Sequence, residues 1–327
     1  MIRILFSSAG RRVERINCFR RAAEFLNTDL EIISIDLDPS WSPACQIADY
    51  KYKVPRCSHP QFFDCVLNIC KKHGIDLVIP NIDTELIGYA RNLDRFSKNN
   101  TDILIAPLDF VDVCRDKEKT AQVLGKNGIP VPHTWKMEES LKSGQNLSYP
   151  VLIKPRGGSS GKGVAIINTP KELMDADVDP SLYIVQELCV GKEYTINCFY
   201  DRTGKCVSCI PHFRKFVRAG EVCFAQTVRV PELRAIAHKF SGIFPGIRGV
   251  ICFQAIQSDS GAINVFEINA RFGGGYPVCD RAGGTFAKWI LQEILGEVPD
   301  YNDDWQEGVR MLRYDTAIFY NLKQNAV

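Results

Sequence analysis

The stretch Ile263-Asn264-Val265-Phe266-Glu267-Ile268-Asn269-Ala270-Arg271 alternates polar and apolar residues with the two-residue period of a strand. On that period Glu267, Asn269 and Arg271 share one face, while Phe266, Ile268 and Ala270 share the other and can be buried. Upstream, Ile251 to Ile256 reads as a second strand, and Ser258-Asp259-Ser260-Gly261 as the turn that joins the two into a hairpin. Gln254 can then lie beside Glu267. One carboxylate and two amide oxygens, from Glu267, Gln254 and Asn269, suit Mg²⁺, a hard ion usually bound by few protein groups plus waters and phosphate oxygens. Arg271 would face the phosphate, whose charge such an ion neutralises only in part. The same alternation also describes an exposed strand whose polar face meets water, so the rest of the chain must decide.

The chain has 327 residues, enough for a large core and two or three subdomains. Forty basic and thirty-eight acidic residues leave a formal charge of +2, which calls for neither a nucleic-acid nor a membrane surface as partner. Met1 to Phe6 is too short an apolar run for a signal peptide, and no segment approaches the roughly 18 apolar residues of a membrane-spanning helix. The cytoplasm is the expected compartment. Of thirteen cysteines, several (Cys65, Cys70, Cys198, Cys252) sit among apolar neighbours as buried thiols do. Cys206 and Cys209 form a lone C-x-x-C, a weak zinc or redox signal.

The elements that must position this chemistry begin with Ile2 to Phe6, a short buried strand, and a helix from about Arg11 to Phe25. A strand over Glu31 to Asp36, a helix over Phe62 to Lys72 and strands at Leu77 to Pro80 and Ile103 to Ala106 follow. Residues 1–112 thus read as a doubly wound parallel sheet, with a ligand crevice at the carboxyl ends of its strands, where Asp83 and Glu85 fall. One glycine in Ser7-Ser8-Ala9-Gly10 is too few for a dinucleotide fingerprint. The arginines at 11, 12, 15, 20 and 21 read as a solvated helix face.

From Asp116 the character changes. A helix near Lys117 to Lys126 leads to a strand, Val151 to Pro155, carrying Lys154 at its end. Arg156-Gly157-Gly158-Ser159-Ser160-Gly161-Lys162-Gly163 follows, a backbone free to aim its N–H groups at phosphate oxygens. Its spacing is not that of a Walker A loop. With Val164 to Ile167 as another strand, it reads as a hairpin tip able to close as a lid, or simply as a flexible tip. The strand Leu182 to Leu188 offers a backbone edge for adenine, and Glu187 and Glu193 are carboxylates for base or ribose. The basic stretch from Arg214 through Lys215 and Arg218 to Arg229, placed between strands, could hold an anionic substrate or be solvated.

Lys117, Lys154, the lid glycines, Glu187, Glu193, Gln254 and the Glu267-x-Asn269-x-Arg271 row, in this order over about residues 113–275, resemble the ATP-grasp family. Residues 1–112 are similar to the domain that precedes that module, and Gln254 is similar to its carbamoyl-phosphate-synthase-like branch. The resemblance implies an α/β and α+β architecture: the N-terminal sheet (1–112), a lid subdomain (113–187) and a C-terminal subdomain with the metal site (188–327). It also implies roles. Lys117 and Lys154 would hold the α- and β-phosphates, and Gly157, Gly158, Ser159, Ser160, Gly161 and Gly163 would cover the β- and γ-phosphates. Glu187 and the Leu188 backbone would meet adenine and Glu193 the ribose. Gln254, Glu267 and Asn269 would hold two Mg²⁺ ions, with Mn²⁺ able to substitute, and Arg271 would steady the γ-phosphate and then an acyl phosphate. A carbamoyl-phosphate synthase large chain resembles two such modules in tandem, whereas one fits here. The expected activity is therefore a stand-alone, ADP-forming ligase joining a small carboxylate, such as an amino acid, to an amine, possible as a homodimer. An ATP-binding protein without turnover is the alternative. Asp83, Glu85, Arg214 and Arg218 are the expected substrate lining.

Overall fold

The computed structural model describes residues 1–143, 147–158, 161–218 and 221–320. Its first layer is a parallel sheet of β1 (Ile2–Ser7), β2 (Leu30–Asp36), β3 (Tyr50–Lys53), β4 (Leu77–Pro80) and β5 (Asp102–Ile103), in the order β3-β2-β1-β4-β5. β1 and β4 are buried on both faces, as parallel strands covered by helices must be, which is why their sequences are nearly continuous apolar runs. The helix Val13–Phe25 packs on this sheet through Ile16, Cys18, Phe19, Ala22 and Ala23, with Phe19 edge-on to Phe6 at 5.4 Å. β5 is shorter than the four residues expected from the sequence. The chain peels away after Leu104, where Arg248 reaches across to Asp102 and to the carbonyls of Ile103 and Ile105.

A second, antiparallel sheet contains β6 (Thr134–Lys136), β7 (Val151–Pro155), β8 (Ala165–Ile167) and β9 (Tyr183–Glu187), in the order β6-β9-β7-β8. The glycine-rich segment joins β7 to β8 as the tip of their hairpin, with Val151 opposite Ile167. This sheet packs a small core of its own, Met137, Val151, Ile153, Ile167, Leu173 and Val185.

The third sheet is antiparallel: β10 (Lys192–Tyr200), β11 (Cys206–Arg218), β12 (Glu221–Thr227), β13 (Gly249–Gln257), β14 (Ile263–Asn269) and β15 (Arg310–Leu312), in the order β14-β13-β10-β11-β12-β15. Arg214, Lys215 and Arg218 therefore lie on a strand rather than between strands. Cys206 and Cys209 are buried thiols in this region. The helix Phe286–Leu295 is buried almost all round, as a helix sandwiched between layers should be. Its Phe286 and Trp289 join Phe272 and Tyr276 in one apolar cluster with Ile4, Phe6 and Phe19. The first and third sheets thus share a core, and side chains of one can fix side chains of the other. Among the described residues no helix is long and apolar enough to cross a membrane.

Candidate functional site

The hairpin of β13 and β14 sets Gln254 directly opposite Glu267, and β10 continues the row with Thr195 opposite Gln254. Asn269 lies one row along, opposite Cys252. A β-bulge arranges this. Ala255 pairs with Val265 while Gln254 pairs with Glu267, so Phe266 is an extra residue on β14. Ile263 and Val265 are buried before it, Ile268 and Ala270 after it. Without the bulge a two-residue period would send Glu267 into the core. The expectation that Phe266 would be buried on the opposite face is corrected for this reason: it is half-buried and lines the cleft.

The cleft, of about 480 Å³, lies between the second and third sheets. Lys117, Lys154, Gly158, Gly161, Lys162 and Arg12 line it together with Glu187, Leu188, Glu193, Arg214, Gln254, Glu267, Asn269 and Arg271. Lys154, at the end of β7, is 5% exposed, and its Nζ stands 5.6 Å from the Phe266 ring centroid. Among the described residues no hydrogen bond or ion pair holds that Nζ. Burial pushes its pKa down to about 8, against the pull of Glu267 and with help from Lys117. Lys117 is also lowered, by burial first, with Glu267 opposing. Two lysines that are reluctant to carry charge in a half-closed cleft are suited to an anion that restores it.

The glycine-rich loop is rooted by ionic and hydrogen-bond contacts. Asp116 caps the helix Lys117–Lys126 by accepting from the Glu118 and Lys119 N–H groups, and Arg156 pairs with Asp116 at 2.6 Å and Glu118 at 3.0 Å. Lys117 Nζ donates to the Gly158 carbonyl at 2.7 Å, and Arg115 to that of Gly157 at 2.9 Å. Gly157 and Gly163 belong to this loop without lining the cleft. Ser159 and Ser160 lie outside the described residues.

At the other end of the cleft Glu187 accepts from the His133 N–H at 3.2 Å, and Glu193 pairs with Arg214 at 2.6 Å. Gly191, which turns the chain into β10, has φ 151° and approaches so closely that a Cβ would stand 2.0 Å from the Gln257 carbonyl oxygen. Arg214 follows His212 on the cleft side of β11. His212 is fully buried, and burial together with Arg214 pushes its pKa down to about 3. A Cβ on Gly275 would meet its Nε2 at 2.3 Å, so glycine there lets the 273–275 loop lie against the imidazole.

The oxygen row fits the ion expected of it. Among the described residues no three His, Cys, Asp or Glu side chains gather as a metal site. Glu267, Gln254 and Asn269 supply a single carboxylate and two amides, too little charge to hold a divalent ion alone but enough to share one brought in on phosphate oxygens. Asn269 Nδ2 donates to Glu267 Oε1 at 3.2 Å, which holds the two side chains together.

Three expectations for the substrate wall are corrected. Glu85 is fully buried: Ser7 and Ser8 donate to one of its oxygens at 2.7 and 2.8 Å, and the Asn81 and Ile82 N–H groups to the other at 2.7 and 3.2 Å. This carboxylate sits at the ends of β1 and β4, where the crevice was expected, and does not line the cleft. Asp83 is 6% exposed and pairs with Arg271 at 2.5 Å behind the cleft wall. Arg218 is exposed and turns to Asp315. Arg11 is exposed as expected, but two of the helix arginines are corrected: Arg15 is 3% exposed, and Arg21 pairs with Asp280 at 2.8 Å. Position 15 precedes Phe19 and Ala22 by four and seven residues, on the buried stripe itself, and that spacing was the available signal.

Comparison with known proteins agrees with this geometry. Residues 4–104 match the model of the PylC-like N-terminal domain, and residues 114–275 match that of the ATP-grasp domain. The carbamoyl phosphate synthase large chain of Clostridium beijerinckii is 24% identical over 292 residues, which cover 83% of this chain and 25% of the relative. The chain thus spans about a quarter of the length of that relative. Among solved structures, the biotin carboxylase domain dimer of Hydrogenobacter thermophilus 2-oxoglutarate carboxylase, in complex with MgADP, ADP and bicarbonate, aligns with a TM-score of 0.73 at 16% identity, covering 95% of this chain and 73% of that one. L-amino acid ligase from Bacillus licheniformis aligns with a TM-score of 0.68 at 18% identity, over 91% of this chain and 75% of that one. With a PylC-like N-terminal domain leading into an ATP-grasp domain, the chain belongs to the ATP-grasp family.

Proposed function

We propose that the protein is an ATP-dependent carboxylate–amine ligase that works through an acyl phosphate and releases ADP and phosphate. The observation that carries this reading is the lining of one cleft by Lys117, Lys154, Lys162 and Arg271 together with the oxygen row Gln254, Glu267 and Asn269. Cations and hard oxygen ligands around one space match the demands of phosphoryl transfer, where catalysis is mainly positioning and charge stabilisation. In this reading Lys117 and Lys154 hold the α- and β-phosphates, and Gly157, Gly158, Ser159, Ser160, Gly161 and Gly163 cover the β- and γ-phosphates. Glu187 and Leu188 meet adenine, and Glu193 the ribose. Mg²⁺, held by Gln254, Glu267 and Asn269 as one or two ions, would neutralise the charge that develops on the transferred phosphoryl group.

The substrate carboxylate attacks the γ-phosphorus and displaces ADP, giving a mixed anhydride. The amine then attacks its carbonyl carbon, phosphate leaves, and the amine gives up a proton. Arg271, on the cleft wall beside Glu267, supports the phosphoryl oxygens in both steps. Arg214, paired with Glu193 on the cleft wall, is the remaining candidate to meet an anionic group of the substrate. Residues 1–112, 113–187 and 188–327 serve as the working divisions, and the reading places the protein in the cytoplasm and allows a homodimer. The test is release of ADP and phosphate from Mg·ATP with pooled small carboxylates, including amino acids, with and without pooled amines. Turnover that needs both pools is expected. AMP and pyrophosphate as products would contradict the mechanism.

A further inference from the structure

Arg271 has one long bond within its own sheet, from Nη2 to Asn269 Oδ1 at 3.4 Å, and is held more closely from outside it. Its Nη2 donates to Asp83 Oδ2 at 2.5 Å and its Nη1 to the Phe272 carbonyl at 2.9 Å. Arg15 donates to that same carbonyl at 3.4 Å and to the Gly273 carbonyl at 3.1 Å, with its guanidinium 5.1 Å from the Phe272 ring centroid. Arg15 is itself fixed by Asn81 Oδ1, and Asn81 Nδ2 donates to the carbonyls of Ser7 and Ile79 at 2.8 and 3.0 Å. Asp83, Arg15 and Asn81 all belong to the N-terminal layer, all are buried, and none lines the cleft. Burial works most strongly against the charge on Arg271, but Asp83, with Cys252 and Glu267 adding to it, offsets the burial and the pKa is raised.

We propose that Asp83 and Arg15 are positioning residues: Asp83 fixes the Arg271 head group and Arg15 fixes the turn that carries it. Arg271 is thereby aimed at the terminal phosphate before the nucleotide arrives, and the N-terminal layer is a working part of the phosphoryl-transfer site. The proposal rests on the ligase reading, in which Arg271 meets the γ-phosphate. An ion pair retained for stability needs only its two charges, and a buried pair is a poor source of stability. Here a second buried cation grips the backbone next to Arg271 from the same layer, which constrains direction as well as charge. A preorganised guanidinium loses less freedom on binding than a mobile one.

The test is calorimetric and needs no knowledge of the ligase substrates. Affinities of the full chain for Mg·ADP and for Mg²⁺ with the non-hydrolysable β,γ-imido analogue of ATP are measured for wild type, Asp83→Asn, Arg15→Lys, Asp83→Glu, Arg271→Lys and the Asp83→Asn/Arg271→Lys double variant. Asp83→Asn and Arg15→Lys are expected to weaken the triphosphate about tenfold and to leave ADP within about twofold, since only the γ-phosphate reads Arg271. Asp83→Glu should recover part of the loss, and the double variant should lose little beyond Arg271→Lys alone. Equal weakening of ADP and triphosphate would show that Asp83 and Arg15 merely hold the fold, and simple additivity of Asp83→Asn with Arg271→Lys would show that they act separately; either overturns the proposal. Failure of wild type to bind either nucleotide would instead overturn the ligase reading itself, a result distinct from a variant that binds ADP alone.

Discussion

At the carboxyl ends of β1 and β4 the N-terminal sheet gathers Ser7, Ser8, Asn81 and Glu85; on the third sheet, β13 and β14 gather Gln254, Glu267 and Asn269. Each group is built around one glutamate. Glu85 is fully buried and takes four donors from its own layer, with burial raising its pKa. Glu267 accepts from Asn269 at 3.2 Å, lines an open cleft and faces the lowered lysines 117 and 154. The difference teaches how to tell a structural carboxylate from a candidate functional one. Where the fold itself supplies the donors, the polar cluster is closed and serves as mortar between strands. Where cations and amides converge on a space without neutralising one another, something from solution is required to complete them.

One chemical change made at both places should give opposite results, and this is the largest expected effect. Glu267→Gln should lower Mg-dependent turnover by about 10³-fold or more while changing stability by less than about 1 kcal/mol. Glu85→Gln brings an NH₂ group against donors, leaving at least one of them unsatisfied in the interior. It should cost about 2–3 kcal/mol of stability and leave nucleotide affinity in the surviving folded protein unchanged. Denaturant titration and a phosphate-release assay on both variants check this. Comparable loss of turnover in the two would erase the distinction between the regions.

Lys154 offers a sharper version, because its strain is expected to show in the ligand-free protein. The unfolded chain should bind the Lys154 proton up to the ordinary 10.5, the folded chain only to about 8. Between those values the unfolded state holds more protons, so this residue makes stability rise with pH across that window. Lys154→Met, which carries no charge to desolvate, should be more stable than wild type at neutral pH by on the order of 2 kcal/mol, and the gain should fade as pH rises through the window. Its affinity for Mg·ATP should fall by about a hundredfold. A variant both less stable and unable to bind would mean that Lys154 is a packing residue.

The shared face of Glu267 and Asn269 and the partnership of Gln254 with Glu267 were legible in the sequence because strand period and hairpin turn are local properties. The order of lysine, glycines, carboxylates and metal row made the family legible as well. The bulge at Phe266 left one mark, the adjacent apolar pair Val265-Phe266 that breaks the alternation, but which residue is extra is fixed only by the register of two strands. Asp83, Glu85 and Arg15 were misplaced for a related reason. Their chemistry depends on which layer packs behind them, and Asp83 and Arg271 are 188 residues apart in the chain. Arg15 did leave a trace, its place on the buried stripe of its helix, but five arginines in eleven residues read more readily as a wet surface.

Arg214 and Arg218 bring the comparison down to one strand. Four residues apart on β11, they were equivalent in the sequence as candidates for an anionic substrate. Arg214, with a side chain 12% exposed, pairs with Glu193 and lines the cleft, while Arg218, 56% exposed, pairs with Asp315 and does not. An exposed pair of this kind contributes little, because water and salt screen it and two long side chains must be held still. Arg218→Ala should therefore leave Mg·ATP affinity and turnover within about twofold of wild type and the melting temperature unchanged. Arg214→Ala should weaken nucleotide binding by about tenfold, since Glu193 loses its partner at the place proposed for the ribose. Nucleotide titrations of the two variants decide the matter. A larger loss from Arg218→Ala than from Arg214→Ala would mean that the exposed end of β11 folds over the cleft when ligand binds, and that the wall extends beyond the residues now lining it.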